Sequence, residues 1–167
     1  PDARDIKKSK AVNRAAITDW YPTTPIGPDR EMYIRCALHL QGISTIADFY
    51  TDRNLAALAL LWKEIGRIAD DRVRAALAFA FTNTAWHGTR MRRFNARGGQ
   101  RPLTGTLYIP QLSSEVNVLE VLRNKVDQLQ RYYRSYQCQP DQLPALTLGS
   151  AANLVEIEDA SVDYIFT

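Results

Sequence analysis

Two helical patterns between residues 51 and 93 are joined by almost nothing, and that junction limits the fold more than any other feature of the chain. Leu55, Leu58, Trp62, Ile65 and Ala69 recur at alternating spacings of three and four residues, the period of a helix with one apolar face. Thr51 or Asp52 can cap its start, because a short side-chain oxygen can accept one of the first unpaired backbone N–H groups. The pattern runs into Asp70 and Asp71, whose negative charge suits the positive end of a second helix. Val73, Leu77, Phe81 and the small residues between them give that helix a buried face, continuing towards Arg93. Helices joined so tightly are expected to pack as an antiparallel pair.

On either side the signals are shorter. Residues 1–29 contain Pro22, Pro25, Gly27 and Pro28 with little periodicity, which reads as an extended arm anchored by Trp20 and Tyr21. Met32, Ile34 and Cys36 alternate in a way that would suit a strand within residues 30–49. Gly98, Gly99, Pro102 and Gly105 break the helical pattern, and residues 106–109 form a short strand signal stopped by Pro110. A third helix is expected from Ser114 and Glu115, with Val118, Leu122, Val126, Leu129, Tyr133 and Tyr136 as one apolar stripe. After Pro140 and Pro144, residues 146–148 and 162–166 read as two strands around a short helical segment at 151–157. In such a strand, crossover, strand unit the Gly149-Ser150 turn lies where an open α/β sheet collects ligands.

Composition and charge narrow the function. A hydrophobic fraction of 46% is that of a globular protein, and no apolar run approaches the roughly 20 residues that span a bilayer. A soluble, cytoplasmic protein without a membrane partner is expected. Cys36 and Cys138 stand far apart with no second ligand nearby, suggesting neither a disulfide framework nor a metal site. His87 beside Trp86 lacks an adjacent serine, cysteine or carboxylate and reads as a packing pair. The net charge of +3 hides a segregation: from Arg72 to Ser114 there are seven arginines and no aspartate or glutamate. Lys7, Lys8, Lys10 and Arg14 form a second basic cluster. Concentrated positive charge favours a polyanionic partner, of which nucleic acid is the obvious one.

Several stretches resemble the DNA methyltransferases that modify an exocyclic amino group of adenine or cytosine. Gly149-Ser150-Ala151-x-Asn153-Leu154, an acidic turn and then Ser161-Val162-Asp163-Tyr164-Ile165-Phe166-Thr167 are similar to the approach to that family's catalytic motif. A weaker likeness covers Phe49-Tyr50-Thr51-x-Arg53-Asn54-Leu55, the Gly98-Gly99 turn with Pro102-Leu103-x-Gly105-Thr106, and Tyr108-Ile109-Pro110. The family's Gly-rich cofactor motif is absent from the chain, and its catalytic Asp-Pro-Pro-Phe/Tyr is expected directly after Thr167. The resemblance implies S-adenosylmethionine as cofactor, with its methyl group held in line with the amino group of a flipped base. It also implies that the chain is a fragment partnered by the remaining parts of the same enzyme, and inactive by itself.

The expected fold is mostly α with a small α/β part: a helical domain followed by an incomplete Rossmann-like strand-helix-strand unit. Its divisions are an extended basic arm and an ill-defined segment at 1–48, a helical region with a Gly-rich basic turn at 49–142, and the start of a catalytic α/β unit at 143–167. No catalytic residue is expected before Thr167. Gly149 and Ser150 are candidates for contact with the cofactor, although serine stands where many relatives have an acid, and an ordinary strand-to-helix turn needs no ligand. Arg90, Arg92, Arg93, Arg97 and Arg101 are candidates for DNA contact, because long cations at a helix end and a Gly-rich turn can reach phosphates. The same arginines would also suit a solvated helix face or pairing with acids elsewhere. Other readings are a basic helical module that binds nucleic acid or protein without chemistry, and a structural insert.

Overall fold

The structure is a computed structural model that describes Arg4, residues 12–136, 157, 158 and 160–162. Two compact units divide the chain, Pro1–Arg134 and Ser135–Thr167. The described part is mostly helical: α1 is Glu31–Arg35, α2 Asp52–Gly66, α3 Asp71–His87 and α4 Val118–Ser135. Short 3₁₀ turns cover Arg14–Ala16, Leu38–Gln41 and Ile46–Phe49. Among the described residues extended backbone pairs only through isolated bridges.

Helices α2 and α3 start where local chemistry dictates. The Thr51 hydroxyl accepts the Asn54 N–H at 3.2 Å, and one Asp70 carboxylate oxygen accepts the N–H groups of Arg72 and Val73 at 2.9 and 3.0 Å. These side chains satisfy backbone donors that the first turn of a helix leaves unpaired. Trp62 meets Phe81 with ring centroids 5.2 Å apart, while Asn54 near the start of α2 reaches Gly88 just past the end of α3. Rising numbers in one helix meet falling numbers in the other, so the pair is antiparallel.

α3 buries the expected face only in part: Leu77 and Phe81 are half-buried, but the most buried positions are the small ones. Val73 is 48% exposed, whereas Ala80 and Thr84 are fully buried and Gly88 follows at the same spacing of four. Small residues let the helices approach closely, and the Thr84 hydroxyl is satisfied within its own helix by the Ala80 carbonyl at 3.1 Å. A Cβ at Gly88 would stand 3.0 Å from Val118 Cγ1 and 3.3 Å from both Leu58 Cδ1 and the Thr84 carbonyl oxygen. Gly88→Ala is therefore expected to destabilise the chain by about 1–3 kcal/mol through overpacking, read as a lower urea midpoint with an unchanged slope. The helix ends here rather than continuing towards Arg93, because Thr89 turns away to bridge Tyr50.

Residues 30–49 contain turns and α1 where alternation suggested a strand. Gly42, at φ +67°, closes the Leu38–Gln41 turn in a conformation that costs glycine little. These turns deliver Leu38, Ile43 and Phe49 to a core completed by Met91 and Ile109. Residues 106–109 likewise form no strand: Tyr108 donates its N–H to the Thr106 hydroxyl at 3.2 Å, a local bond that competes with strand pairing. The third long helix starts at Val118, later than Ser114 and Glu115, since Ser114 donates its N–H to the Arg92 carbonyl at 2.9 Å. Glu115 meanwhile accepts from the Thr51 hydroxyl and pairs with Arg53. Along α4 the stripe is buried at Val118 and becomes exposed by Tyr133.

The arm is held by charge more than by its aromatics. Arg14 pairs with Asp48 at 2.5 Å and with Asp52 at 3.2 Å, and Asp19 pairs with Lys63 at 2.6 Å. Trp20 remains 68% exposed. The strand readings at 146–148 and 162–166 lie outside the described residues except for Val162, as do Cys138 and the candidate pair Gly149 and Ser150. The acidic turn is described in part: Ser161 bonds the Glu158 carbonyl through its hydroxyl at 2.6 Å.

Candidate nucleic-acid interface

Beyond a turn at Arg90 and Met91 the chain runs as a short extended segment flanked by two others. Arg92 bridges Pro102 on one side and Arg93 bridges Ser113 on the other, both antiparallel. Phe94 donates its N–H to the Leu112 carbonyl at 2.9 Å, and Arg93 donates to the Arg101 carbonyl at 3.4 Å. Neighbouring residues of an extended chain point to opposite faces. The register therefore places Arg93, Arg101 and Ser113 on one face and Arg92, Pro102 and Ser114 on the other. Burial agrees with this assignment, since the first three are exposed while Pro102 is fully buried and Arg92 and Ser114 are half-buried.

The five candidate arginines consequently divide. Arg90 turns inward: its N–H bonds the Phe49 carbonyl at 2.7 Å and its guanidinium bonds the Asp48 carbonyl at 3.0 Å. Arg92 donates from Nε to the Ser114 hydroxyl at 3.0 Å. Both brace the ribbon against the core. Arg93, Arg97 and Arg101 are exposed, and none of them pairs with a carboxylate among the described residues. By contrast Arg35, Arg53, Arg67 and Arg74 all have acidic partners. Like charges directly opposite each other on extended segments repel, so Arg93 facing Arg101 is an arrangement that an anion would relieve.

Arg97 is presented by the turn between those segments. The Asn95 side chain accepts the Arg97 N–H at 3.1 Å, its carbonyl accepts the Gly98 N–H at 3.0 Å, and Gln100 donates to that carbonyl at 3.3 Å. Gly98 and Gly99 have φ of +86° and +69°, a region that side chains disfavour. The result is a tight, built turn with a cation at its tip.

Other groups take structural roles. Nδ1 of His87 is buried without a partner among the described residues; burial, followed by Arg92 and Lys125, lowers its pKa. Burial also raises the pKa of the Tyr50 phenol. Cys36 lies 3.6 Å from the Thr106 hydroxyl. Among the described residues no group of three or more His, Cys, Asp or Glu could hold a metal, and no helix is long and apolar enough to cross a membrane. The stretch Phe49 to Leu55 serves structure throughout: Phe49 and Leu55 are buried, Thr51 caps α2, Arg53 pairs with Glu115 and Asn54 bonds the Gly88 carbonyl at 3.0 Å.

Two features were not evident from sequence. Asp48 is a hub on which the arm and the Ile46–Phe49 turn converge: it forms a local capping box with Thr45, whereas its pairing with Arg14 spans 34 residues. An apolar cleft of about 600 Å³ lies between α2, α3 and the arm, lined by Trp20, Tyr50, Trp62, Phe81 and Trp86 among others. Its aromatics come from four separate stretches of chain. Comparison with protein-family models, with curated proteins and with solved structures returns no match to this chain.

Proposed function

We propose that this chain is the DNA-positioning part of an S-adenosylmethionine-dependent DNA methyltransferase acting on an exocyclic amino group of adenine or cytosine. The observation that carries the DNA part of this reading is the exposed face of Arg93 and Arg101, with Arg97 on the adjoining turn and no carboxylate among the described residues paired to any of them. Guanidinium groups placed this way suit phosphate oxygens, with which they form strong charge-assisted bonds. The methyltransferase part rests on the resemblance of the stretches around Gly149-Ser150 and 161–167. In this reading residues 143–167 build a Rossmann-like strand-helix-strand unit, Gly149 and Ser150 approach the cofactor, and the rest of the enzyme supplies the catalytic loop. The described helices hold the arginine ribbon in place and take no chemical step.

Fluorescence anisotropy of a labelled duplex tests the DNA part. The chain is expected to bind weakly near physiological salt and more tightly at low salt, because each phosphate contact releases condensed counterions. Unchanged anisotropy at low salt would overturn it. For the chemical part, the intact protein should transfer a tritiated methyl group from S-adenosylmethionine to DNA. DNA retention without methyl transfer would support a basic helical module that acts without chemistry.

A further inference from the structure

We infer that the cleft between α2, α3 and the arm binds a small, uncharged and largely apolar molecule built on a flat ring system. This goes beyond the DNA-positioning reading and does not depend on it. Two of the walls follow from helical spacing. Leu58, Ala59 and Trp62 share one face of α2, and Phe81, Ala85 and Trp86 one face of α3, because residues three and four apart lie side by side on a helix. Trp62 and Phe81 meet across the cleft at 5.2 Å, within the distance at which aromatic rings attract. The arm adds Trp20, Tyr21 and Pro22 as a strap. It is tied at one end by Asp19 to Lys63 at 2.6 Å and at the other by the Thr24 carbonyl, which accepts the Ile46 N–H at 3.1 Å. Between those ties residues 20–23 have no hydrogen bond among the described residues, so what they supply is the apolar wall itself.

The chemistry of the walls selects the ligand. At about 600 Å³ the cleft has the size of a small-molecule site. Of the described residues lining it none is Asp, Glu, Lys, Arg or His, and all three tryptophans of the chain are among them. A charged ligand would lose hydration there without gaining a countercharge, since Asp19, beside Trp20, is already paired with Lys63. Thr82 and Thr89 give their hydroxyl protons to the Phe79 and Trp86 carbonyls at 2.8 and 2.9 Å. A flipped base would stack between these rings but also needs partners along its polar edge, and such walls offer few. A flat apolar ring needs only the ring faces and edges around it. Trp20, 68% exposed at the rim, is the ring that such a ligand would cover.

The test titrates the full chain with N-phenyl-1-naphthylamine, an uncharged probe that brightens in apolar sites, and with 1-anilinonaphthalene-8-sulfonate, the same ring frame carrying an anion. The uncharged probe should saturate at one per chain and bind more tightly than the sulfonate by about tenfold or more. Trp20→Ala should weaken it by about 3- to 10-fold with little change in melting temperature. Leu112→Ala, at an equally exposed apolar side chain outside the cleft, should leave the affinity unchanged. Thr82→Lys sets a cation at an exposed position of the wall and should narrow the gap between the two probes. Excess adenosine or cytidine should displace neither probe. Equal affinity for the two probes, an unchanged gap in Thr82→Lys or displacement by a nucleoside would overturn the ligand class. Equal effects of Trp20→Ala and Leu112→Ala would overturn the site. Absence of saturable binding would overturn both, and the cleft would then be a seat for another part of the chain or for a protein.

Discussion

Replacing Asp48 by alanine will lower the stability of the chain by about 3 kcal/mol, a larger loss than most single changes produce. One carboxylate oxygen accepts the Ser44 N–H and hydroxyl, both at 2.9 Å, the Thr45 N–H at 2.8 Å and the Thr45 hydroxyl at 3.0 Å. The other takes the Arg14 guanidinium at 2.5 Å. Only 16% of the Asp48 side chain is exposed, so solvent is poorly placed to replace these partners. Its removal strands the N–H and hydroxyl donors of Ser44 and Thr45 and takes one of two carboxylate partners from Arg14, which keeps Asp52. Asp48→Asn should lose less, because its amide keeps an acceptor oxygen, and urea midpoints would order the three proteins.

The same site sets an acid limit on stability. Burial by itself would raise the Asp48 pKa, but the Ser44 N–H, the Arg14 guanidinium, the Thr45 N–H and the Ser44 hydroxyl outweigh it and hold the carboxyl well below the usual carboxylate range. A depressed folded pKa means that the stabilisation is complete above the unfolded value of about 3.9. It is lost as pH falls from there towards the folded value. The stability gap between the parent chain and Asp48→Asn should accordingly be constant above about pH 5 and close below about pH 4. A gap that is flat down to about pH 3 would show that Asp48 is not held in this way.

Helix starts were legible because their causes are local. Thr51 and Asp70 bond N–H groups two or three residues ahead, and the apolar spacing after Thr51 repeats over several turns. Residues 30–49 were misread for the opposite reason. Three alternating apolar residues at 32, 34 and 36 cannot distinguish a strand from one turn of helix, and Leu38, Ile43 and Phe49 are buried by contact with Met91 and Ile109 far along the chain. Glu115 gave a plausible helix start until Arg53, 62 residues away, claimed it. Similarly, seven arginines without a local acid marked the basic region, but no periodicity could sort them. Whether an arginine there braces the ribbon or faces outward depends on pairing residue 92 with 102 and 93 with 113, which is a matter of tertiary register.

That register gives the strongest test of the DNA surface. Changing Arg93, Arg97 and Arg101 together to glutamine removes three cations that have no acidic partner among the described residues, so stability should move little. DNA binding should change a great deal. With one phosphate of a DNA duplex per arginine, the slope of log affinity against log salt should become shallower by about 2.7. Through these contacts alone, raising salt from about 50 to about 200 mM would weaken the parent chain by roughly 40-fold, and the triple variant should lack that component. Changing Arg35 and Arg67, which are paired with Glu31 and Glu64, should leave the slope as it was. Arg92→Gln separates the two roles within the ribbon: it removes a 3.0 Å bond to Ser114, and should lower the melting temperature while costing at most one phosphate contact. If the triple variant retains the parent slope, the exposed face is a solvated surface and the DNA must be held elsewhere. If Arg92→Gln flattens the slope as much as the triple change does, the faces have been assigned the wrong way round.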